Sequence, residues 1–320
     1  MTKRILTLTL LALALPGLAF SQQEGSTPTQ TVISLDSKTP ATATAKDVTL
    51  KIDNHVTPLL NLAQVPANGA QIALLIDDGL RTSIGGELNN LRAFITGLPA
   101  GTEVFVGFMQ NGHVASANDD NPGFTTDLAA AAKGVRIPMG LRGASASPYF
   151  CLSDFVKDWP NSAEDQSGSQ ARQPRHKARF VLMITNGVDP YNGSTSITNQ
   201  DSPYVASAIT DAQRAGVPVY SIYYNDAGFR GGRSSFSGQS YLSQLAQETG
   251  GTTYYQGTGN PVSLVPFLKQ FQNAIAESYI ATFPVDGNKK MVSLKFSTTI
   301  PKTKINVADQ VRPGTIVLAQ

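Results

Sequence analysis

Continuous apolar runs alternate with helical patterns through the middle of this chain. Such runs are typical of strands buried on both faces of a parallel sheet, and apolar residues at every third or fourth position are typical of amphipathic helices. The predicted strands cover residues 72–76, 104–109, 180–184, 217–223 and 252–255. The predicted helices cover residues 83–98, 127–133, 149–159, 204–215, 241–248 and 261–278. This order predicts an α/β fold with a doubly wound, mostly parallel sheet that is flanked by helices.

Both flanks of this region show a different pattern, in which apolar and polar residues alternate. Residues 48–52 alternate in this way near the beginning of the chain, and residues 291–297 do so near its end. A period of two residues is typical of half-exposed strands. We therefore expect a small β unit formed from both ends, with β segments at 48–68 and 283–320 around a domain at 69–282.

The first residues have the pattern of an export signal. Lys3 and Arg4 precede an apolar run at 5–20, and small residues flank Phe20. The alternative is a membrane anchor, but a spanning helix needs about 20 apolar residues. We expect a signal peptide at 1–21, cleavage, and a periplasmic or extracellular location. No second long apolar run follows, which predicts no membrane span after cleavage. Residues 22–47 are rich in Thr, Ser, Ala and Gln and are predicted to form a flexible linker.

Charge and cysteine content narrow the classes of partner. The formal net charge is +2, and residues 1–21 contain Lys3 and Arg4 but no acid, so the remainder has a net charge of 2 − 2 = 0. This balance gives no reason to expect nucleic acid or an acidic membrane as a partner. Cys151 is the single cysteine, which excludes a disulfide within the chain and a cysteine-based zinc site. Its apolar neighbours predict a place in the core.

Two polar segments follow predicted strands at the edge of the sheet where such folds bind ligands. We call this edge, outside the carboxyl ends of the parallel strands, the rim. Residues 77–81 read Asp-Asp-Gly-Leu-Arg, and residues 185–189 read Thr-Asn-Gly-Val-Asp. With these motifs the chain resembles a von Willebrand factor A domain, in particular the secreted bacterial proteins called VWFA-related, over about residues 70–281.

The resemblance implies a metal site, which the individual residues do not preserve. The family has Asp-x-Ser-x-Ser after the first strand, a Thr from a middle loop and an Asp in a Thr-Asp-Gly turn, and together these bind Mg²⁺ and capture a partner's carboxylate. Asp77 matches the first Asp, while Gly79 and Arg81 stand at the two Ser positions. Asn186 replaces the Asp of the turn, and either Ser145 or Ser147 stands nearest to the middle-loop Thr.

The altered residues predict that no high-affinity metal binds. A hard cation prefers six or more oxygen ligands, several of them anionic, and only Asp77 and Asn186 remain as vestigial ligand candidates. The alternative role for Asp77 is to cap the turn that follows it. A second hypothesis is that the guanidinium of Arg81 takes the place of the ion beside Asp77 and binds an acidic group of a partner.

These patterns lead to a functional prediction. Asp189 and Tyr191 fall in another rim loop, and an aromatic residue there is a plausible contact. The sequence has no nucleophile elbow, phosphate loop or metalloprotease signature, so we do not expect an enzyme. We expect a secreted protein-binding or adhesion-type module that uses the rim, with an unidentified protein as partner. The alternatives are a structural component of a cell-envelope complex, which would use the β unit, and a metal-dependent binding domain or enzyme.

Overall fold

The computed structural model describes residues 25–120, 122–139, 147–161, 177–189, 202–224, 233–257 and 260–318, without the side chains of 81–83 and 233–236. Its strands are β1 Ser26–Ser37, β2 Val48–Ile52, β3 His55–Thr57, β4 Asn61–Gln64, β5 Ala70–Asp77, β6 Glu103–Gln110, β7 His113–Ser116, β8 Ala178–Thr185, β9 Val219–Tyr223, β10 Thr253–Tyr254, β11 Ser278–Asp286, β12 Val292–Thr298, β13 Thr303–Val307 and β14 Gln310–Val311. Its α-helices are α1 Leu88–Thr96, α2 Leu128–Lys133, α3 Pro148–Lys157, α4 Pro203–Ala215, α5 Arg233–Thr249 and α6 Val265–Ala276. In this part of the chain, no helix combines the length and apolar character that crossing a bilayer requires.

The central six-stranded sheet confirms the predicted α/β class. Its strand order is β10-β9-β8-β5-β6-β7, and every pair is parallel except β6 with the edge strand β7. All residues of β5 are buried, because helices cover both faces of the sheet. Leu74 packs on one face in a core shared with α1 and α6, and Leu75 packs on the other face with α3, α4 and α5.

A β unit formed from both ends of the chain adjoins this sheet, as predicted. It contains two antiparallel sheets, β13-β1-β11-β4 and β14-β12-β2-β3. Ile33 and Phe283 of the first sheet pack against Leu50 and Leu294 of the second. The α/β region is inserted between β4, which precedes it in sequence, and β11, which follows it. These two strands pair with each other in the same sheet.

The prediction of a flexible linker at 22–47 is wrong for most of its length. Residues 26–37 form β1, a strand paired with β11 on one side and with β13 on the other. The polar composition was misleading because the central position of β1 buries residues 29–35 regardless of their polarity. The side chain of Gln30 finds partners there, since its Oε1 accepts hydrogen bonds from the backbone N–H groups of Val317 and Leu318 at 2.8 and 3.0 Å. In addition, β11 begins at Ser278, inside the range assigned to the α/β domain.

The segment after β5 also differs from its prediction. A single helix was expected at 83–98, whereas a 3-10 helix occupies Asp78–Glu87 and the α-helix starts only at Leu88. Gly85 and Gly86 lie in this segment, and glycine is a poor former of helix interiors. The 3-10 segment places Gly79 and the backbone of Arg81 directly beyond the end of β5.

Candidate functional site

Asp77 lies at the end of the central strand β5, with 5% of its surface exposed. Its Oδ1 accepts a hydrogen bond from the backbone N–H of Gly79 at 2.8 Å, the turn-capping role considered for it. Its Oδ2 accepts a hydrogen bond from the hydroxyl of Thr185, at the end of the neighbouring strand β8, at 2.5 Å. The Thr185 oxygen in turn accepts from the N–H of Gly187 at 3.0 Å. The two strand ends are therefore joined by a buried chain of hydrogen bonds.

Tyr149, near the start of α3, ties that helix to the same turn. Its hydroxyl donates to the carbonyl oxygen of Gly187 at 2.7 Å, and its side chain is fully buried. Burial raises the pKa of Tyr149 well above its usual value, and the nearby carboxylates of Asp189 and Asp77 raise that pKa further. Tyr149 is therefore a neutral hydrogen-bond donor at physiological pH.

Asp189 anchors the next helix to the rim. It is 1% exposed, and its Oδ2 accepts a hydrogen bond from the hydroxyl of Ser202 at 2.5 Å. Ser202 is the N-cap residue of α4, where its oxygen also accepts from the N–H of Val205 at 3.4 Å. The contacts of both Asp77 and Asp189 thus join β8 and its turn to neighbouring elements.

Ser147 has the most unusual environment of the predicted site residues. It is the N-cap residue of α3 and is completely buried, but its hydroxyl makes no capping bond. Among the residues that the structure describes, its Oγ has no hydrogen-bond partner. A buried hydroxyl without a partner costs about 1–3 kcal/mol, so such groups in a folded protein call for a specific explanation.

The residues around Asp77 do not provide the oxygen ligands that tight binding of a hard cation requires. Gly79 has no side-chain oxygen, and the amide Oδ1 of Asn186 is engaged with the N–H of Val188 in its own turn at 2.9 Å. Both oxygens of Asp77 accept the hydrogen bonds described above. Within the described residues, no group of three or more His, Cys, Asp or Glu side chains is arranged to hold a metal ion.

Several predicted residues fall outside what the structure describes. The backbone of Arg81 is in the 3-10 segment, but its side chain is not described, and Ser145 and Tyr191 lie wholly outside the described residues. The roles assigned to Arg81 and Tyr191 therefore remain predictions.

Sequence reasoning missed three residues that organise the site. Thr185 is part of the Thr-Asn-Gly motif, and its position at the end of a predicted strand was the available signal for its role. Ser202 directly precedes Pro203, a typical helix start that could have indicated a cap. For Tyr149 no sequence signal was available, because its partner Gly187 is 38 residues away.

Cys151 lies in the core, as expected from its neighbours. Burial, followed by the proximity of Asp77, raises the pKa of its thiol to about 12. The thiolate, which is the nucleophilic form, is therefore scarce at neutral pH.

Large apolar side chains are exposed around the rim. Tyr255 follows β10 directly. Val262, which is 93% exposed, precedes α6, and Val265 is the first residue of that helix. On the neighbouring side, Ile137 lies near Gly85 in the segment after β5, and Met139 is 80% exposed. Exposed apolar side chains at one end of a sheet are candidate contacts for a protein partner.

Comparison with known proteins gives structural similarities only. No family model matches the chain, and no curated protein matches it. Among solved structures, it is similar to proximal thread matrix protein 1 from the mussel byssus, with 15% identity, a TM-score of 0.41, and coverage of 67% of this chain and 47% of that one. It is also similar to the pilus adhesin SpaC from Lactobacillus rhamnosus GG, with 9% identity, a TM-score of 0.40, and coverage of 87% and 46%.

A third similar structure is the SpRpn10 VWA domain, with 10% identity, a TM-score of 0.34, and coverage of 63% of this chain and 94% of that one. The chain thus spans less than half the length of the matrix protein and of the pilus adhesin. The assignment of the α/β fold rests on the strand order and helix placement described above, and the similarities are too distant to indicate an activity.

Proposed function

We propose that this protein is an exported binding module that recognises another protein through the rim, without a high-affinity metal ion. The observation that carries the proposal is the exposed apolar surface near the end of the sheet that holds the buried polar cluster around Asp77. Tyr255 and Val262 lie between the end of β10 and the start of α6. Met139 lies two residues after Ile137, which is close to Gly85 beyond the end of β5. Interfaces are enriched in aromatic residues and methionine. Export would follow from the predicted signal at 1–21, which lies outside the described residues.

The polar cluster supports this proposal by giving the rim a rigid base. Hydrogen bonds from Thr185 to Asp77, from Tyr149 to Gly187 and from Ser202 to Asp189 join two strands and two helices. A surface held in one conformation loses less entropy on binding, which favours affinity. The proposal includes no catalytic step: the Cys151 thiol is buried with a pKa of about 12, and within the described residues the Ser147 hydroxyl forms no hydrogen bond that would activate it.

Site-specific photo-crosslinking tests where the partner binds. A photoreactive amino acid at Val262 or Met139 is expected to give adducts with a discrete protein in the native environment. The matched control is Val56 in the β unit, which is also strongly exposed at 71%. With the partner purified, Val262→Asp should weaken binding about tenfold or more, a loss of about 1.4 kcal/mol, and Val56→Asp should leave it unchanged. Adducts at neither rim position would overturn the proposal.

A second candidate function is a structural role in a cell-envelope complex. Val56 and Leu60, 71% and 59% exposed, lie at and just before the edge strands β3 and β4 of the β unit. Exposed edge strands pair readily with other chains. Adducts at Val56 alone would favour this function over binding at the rim.

Calorimetric titration with Mg²⁺, Mn²⁺ and Ca²⁺ tests the absence of a high-affinity metal. We expect no saturable binding tighter than about 1 mM, the weak end of protein calcium sites. Asp77→Ala and the control Asp47→Ala, a half-exposed carboxylate just before β2, should behave alike. Micromolar binding that Asp77→Ala abolishes and Asp47→Ala retains would contradict this part of the proposal.

The role of Arg81 can be tested with the same purified partner. If its guanidinium stands in for the ion, Arg81→Ala should weaken binding, whereas the exposed control Arg312→Ala should not. Equal affinities for wild type and Arg81→Ala would remove Arg81 from the binding site.

A further inference from the structure

A cavity of about 610 Å³ opens at the end of the sheet opposite the rim. Its floor includes Ala70 and Ile72, at the start of β5, and its wall includes Thr102, just before β6. Residues 64–67 and, near the end of α6, residues 272, 273, 275 and 276 also line it. These two stretches connect the β unit to the α/β region, so the cavity lies where the chain passes between them.

The lining of the cavity is uncharged. No Asp, Glu, Lys, Arg or His is among the described residues that line it, and its apolar lining includes Val65, Leu98, Pro99 and Ile275. Burying an ion in such a site without a partner charge is strongly unfavourable. The lining therefore favours an uncharged, mostly apolar ligand.

Four uncharged polar side chains add hydrogen-bonding capacity. The amides of Gln272, which is half-buried, and of Asn273, which is exposed, line the cavity, where both can bind a ligand. The Nε2 of Gln64 donates to the carbonyl of Ala276 at 2.8 Å, which leaves its Oε1 as an acceptor. The hydroxyl of Thr102 donates to the carbonyl of Ala67 at 3.2 Å and retains acceptor capacity.

Two helices end at this cavity. Gly97, the C-cap residue of α1, and Ala276, the last residue of α6, both line it. The C-terminal end of a helix carries partial negative charge. An anionic ligand is therefore disfavoured relative to a neutral one of the same shape.

We propose that this cavity binds a neutral, largely apolar small molecule that carries an amide or hydroxyl group. Its volume lies within the range of about 300–1,000 Å³ that is typical of small-molecule sites, which occur preferentially at junctions between domains. The apolar walls hold the body of the ligand, and the amides of Gln272 and Asn273 bind its polar group. The site is separate from the rim, so it stands or falls independently of the proposed protein-binding function.

Fluorescence titration with Nile red, an uncharged apolar dye, tests the site. Saturable binding is expected, and Ala276→Trp, which places an indole at the cavity wall, should weaken it about tenfold or more. The matched control is Ala129→Trp, an exposed alanine on helix α2 away from the cavity, which should leave dye binding unchanged. Ala67→Trp, outside any helix or strand, provides a second blocking variant with little demand on folding. Dye binding that neither blocking variant weakens would overturn the proposal.

Competition between octanamide and octanoate tests the chemical class. The two share an alkyl chain and differ in charge, so octanamide is expected to displace the dye at a concentration several-fold lower than octanoate. The double variant Gln272→Leu, Asn273→Leu should remove most of that preference while retaining the dye. Equal displacement by both compounds, or stronger displacement by octanoate, would overturn the assignment of a neutral ligand.

Discussion

At the scale of single residues, hydroxyl and backbone N–H groups donate to the carboxylates at the rim. Thr185 donates to Asp77, Ser202 donates to Asp189, and the backbone N–H of Gly79 completes one side of Asp77. Hydrogen bonds to a charged group stabilise more than neutral ones, by about 1.5–3 kcal/mol each. Because Asp77 lies at the end of the central strand, these bonds also fix the course of the chain as it leaves the sheet.

Thr185→Val tests the importance of the bond between β5 and β8. Valine keeps the shape of the side chain but removes the donor to Asp77 and the acceptor for Gly187, so the free energy of unfolding should fall by about 1–3 kcal/mol. Urea denaturation measures this change. The control Thr96→Val, on the exposed end of α1, should change it by less than about 0.5 kcal/mol. Equal effects at both positions would show that the buried bond contributes little.

At the scale of elements, helix α5 packs directly on the turn that follows β8. Gly187 has a φ of +65°, a left-handed conformation that favours glycine. A Cβ atom at Gly187 would lie 2.6 Å from the carbonyl oxygen of Gly238 on α5, and a Cβ at Gly238 would collide with the carbonyl oxygen of Asn186. The two glycines thus allow the backbones of the turn and of the helix to touch beside the site.

Gly238→Ala should destabilise the protein even though alanine is the better helix former. The intrinsic gain of about 1 kcal/mol is outweighed by the collision with Asn186, which forces α5 away from the turn. The control is Gly86→Ala, where an added Cβ meets nothing within 4 Å, and stability there should be unchanged or slightly raised. Thermal unfolding followed by circular dichroism compares the two. Equal melting temperatures for Gly238→Ala and wild type would contradict the close packing.

At the scale of the whole molecule, the α/β region and the β unit share a hydrophobic core. Val32 of β1 and Ile280 of β11 belong to the same cluster as Leu268 and Phe271 of α6. The opposite face of the same strands packs on the second sheet of the β unit, through Ile33 and nearby residues. The sheet that contains β1 is therefore an internal layer, covered on both faces.

This shared layer predicts that the protein unfolds in a single cooperative transition. Exposing either unit would uncover one face of the sheet containing β1, so the two should not melt separately. In differential scanning calorimetry the calorimetric and van't Hoff enthalpies should agree. Val32→Ala should shift this one transition to a lower temperature, and two resolved transitions in either protein would contradict the prediction.

Glu277, at the end of α6, makes the junction between the two units sensitive to pH. Its pKa is raised first by burial and then by the carboxylate of Asp36 on β1. Because the pKa is higher in the folded state, the stabilisation from protonation is complete below the unfolded pKa of about 4.3 and is lost as the pH rises through the folded pKa. At pH 7 the ionised side chain therefore disfavours the folded state.

Glu277→Gln should accordingly raise the melting temperature at pH 7 and give no such increase at pH 3.5. The control Asp119→Asn, in an exposed turn, changes the net charge equally and should have little effect at either pH. An increase of the same size at both pH values for Glu277→Gln would show that the charge of Glu277 is not the cause.

The site was predictable in part. The positions of Asp77, Asn186 and Asp189 beyond strand ends follow from the order of strands and helices, since parallel strands bring their carboxyl ends to one edge. The contacts there did not follow from the sequence. The bond from Tyr149 to Gly187, and the lack of a hydrogen-bond partner for Ser147 among the described residues, depend on how α3 packs on the sheet.

The sequence by itself determined the class of the fold, because uninterrupted apolar runs such as β5 and β8 can be buried only in a sheet covered on both faces. It also determined that the chain ends form strands at 48–52 and 292–298, through their alternating pattern. Only the tertiary structure decided that residues 26–37 form a central strand. Their burial comes from β11, about 250 residues further along the chain, and a contact so distant leaves no mark in the local composition.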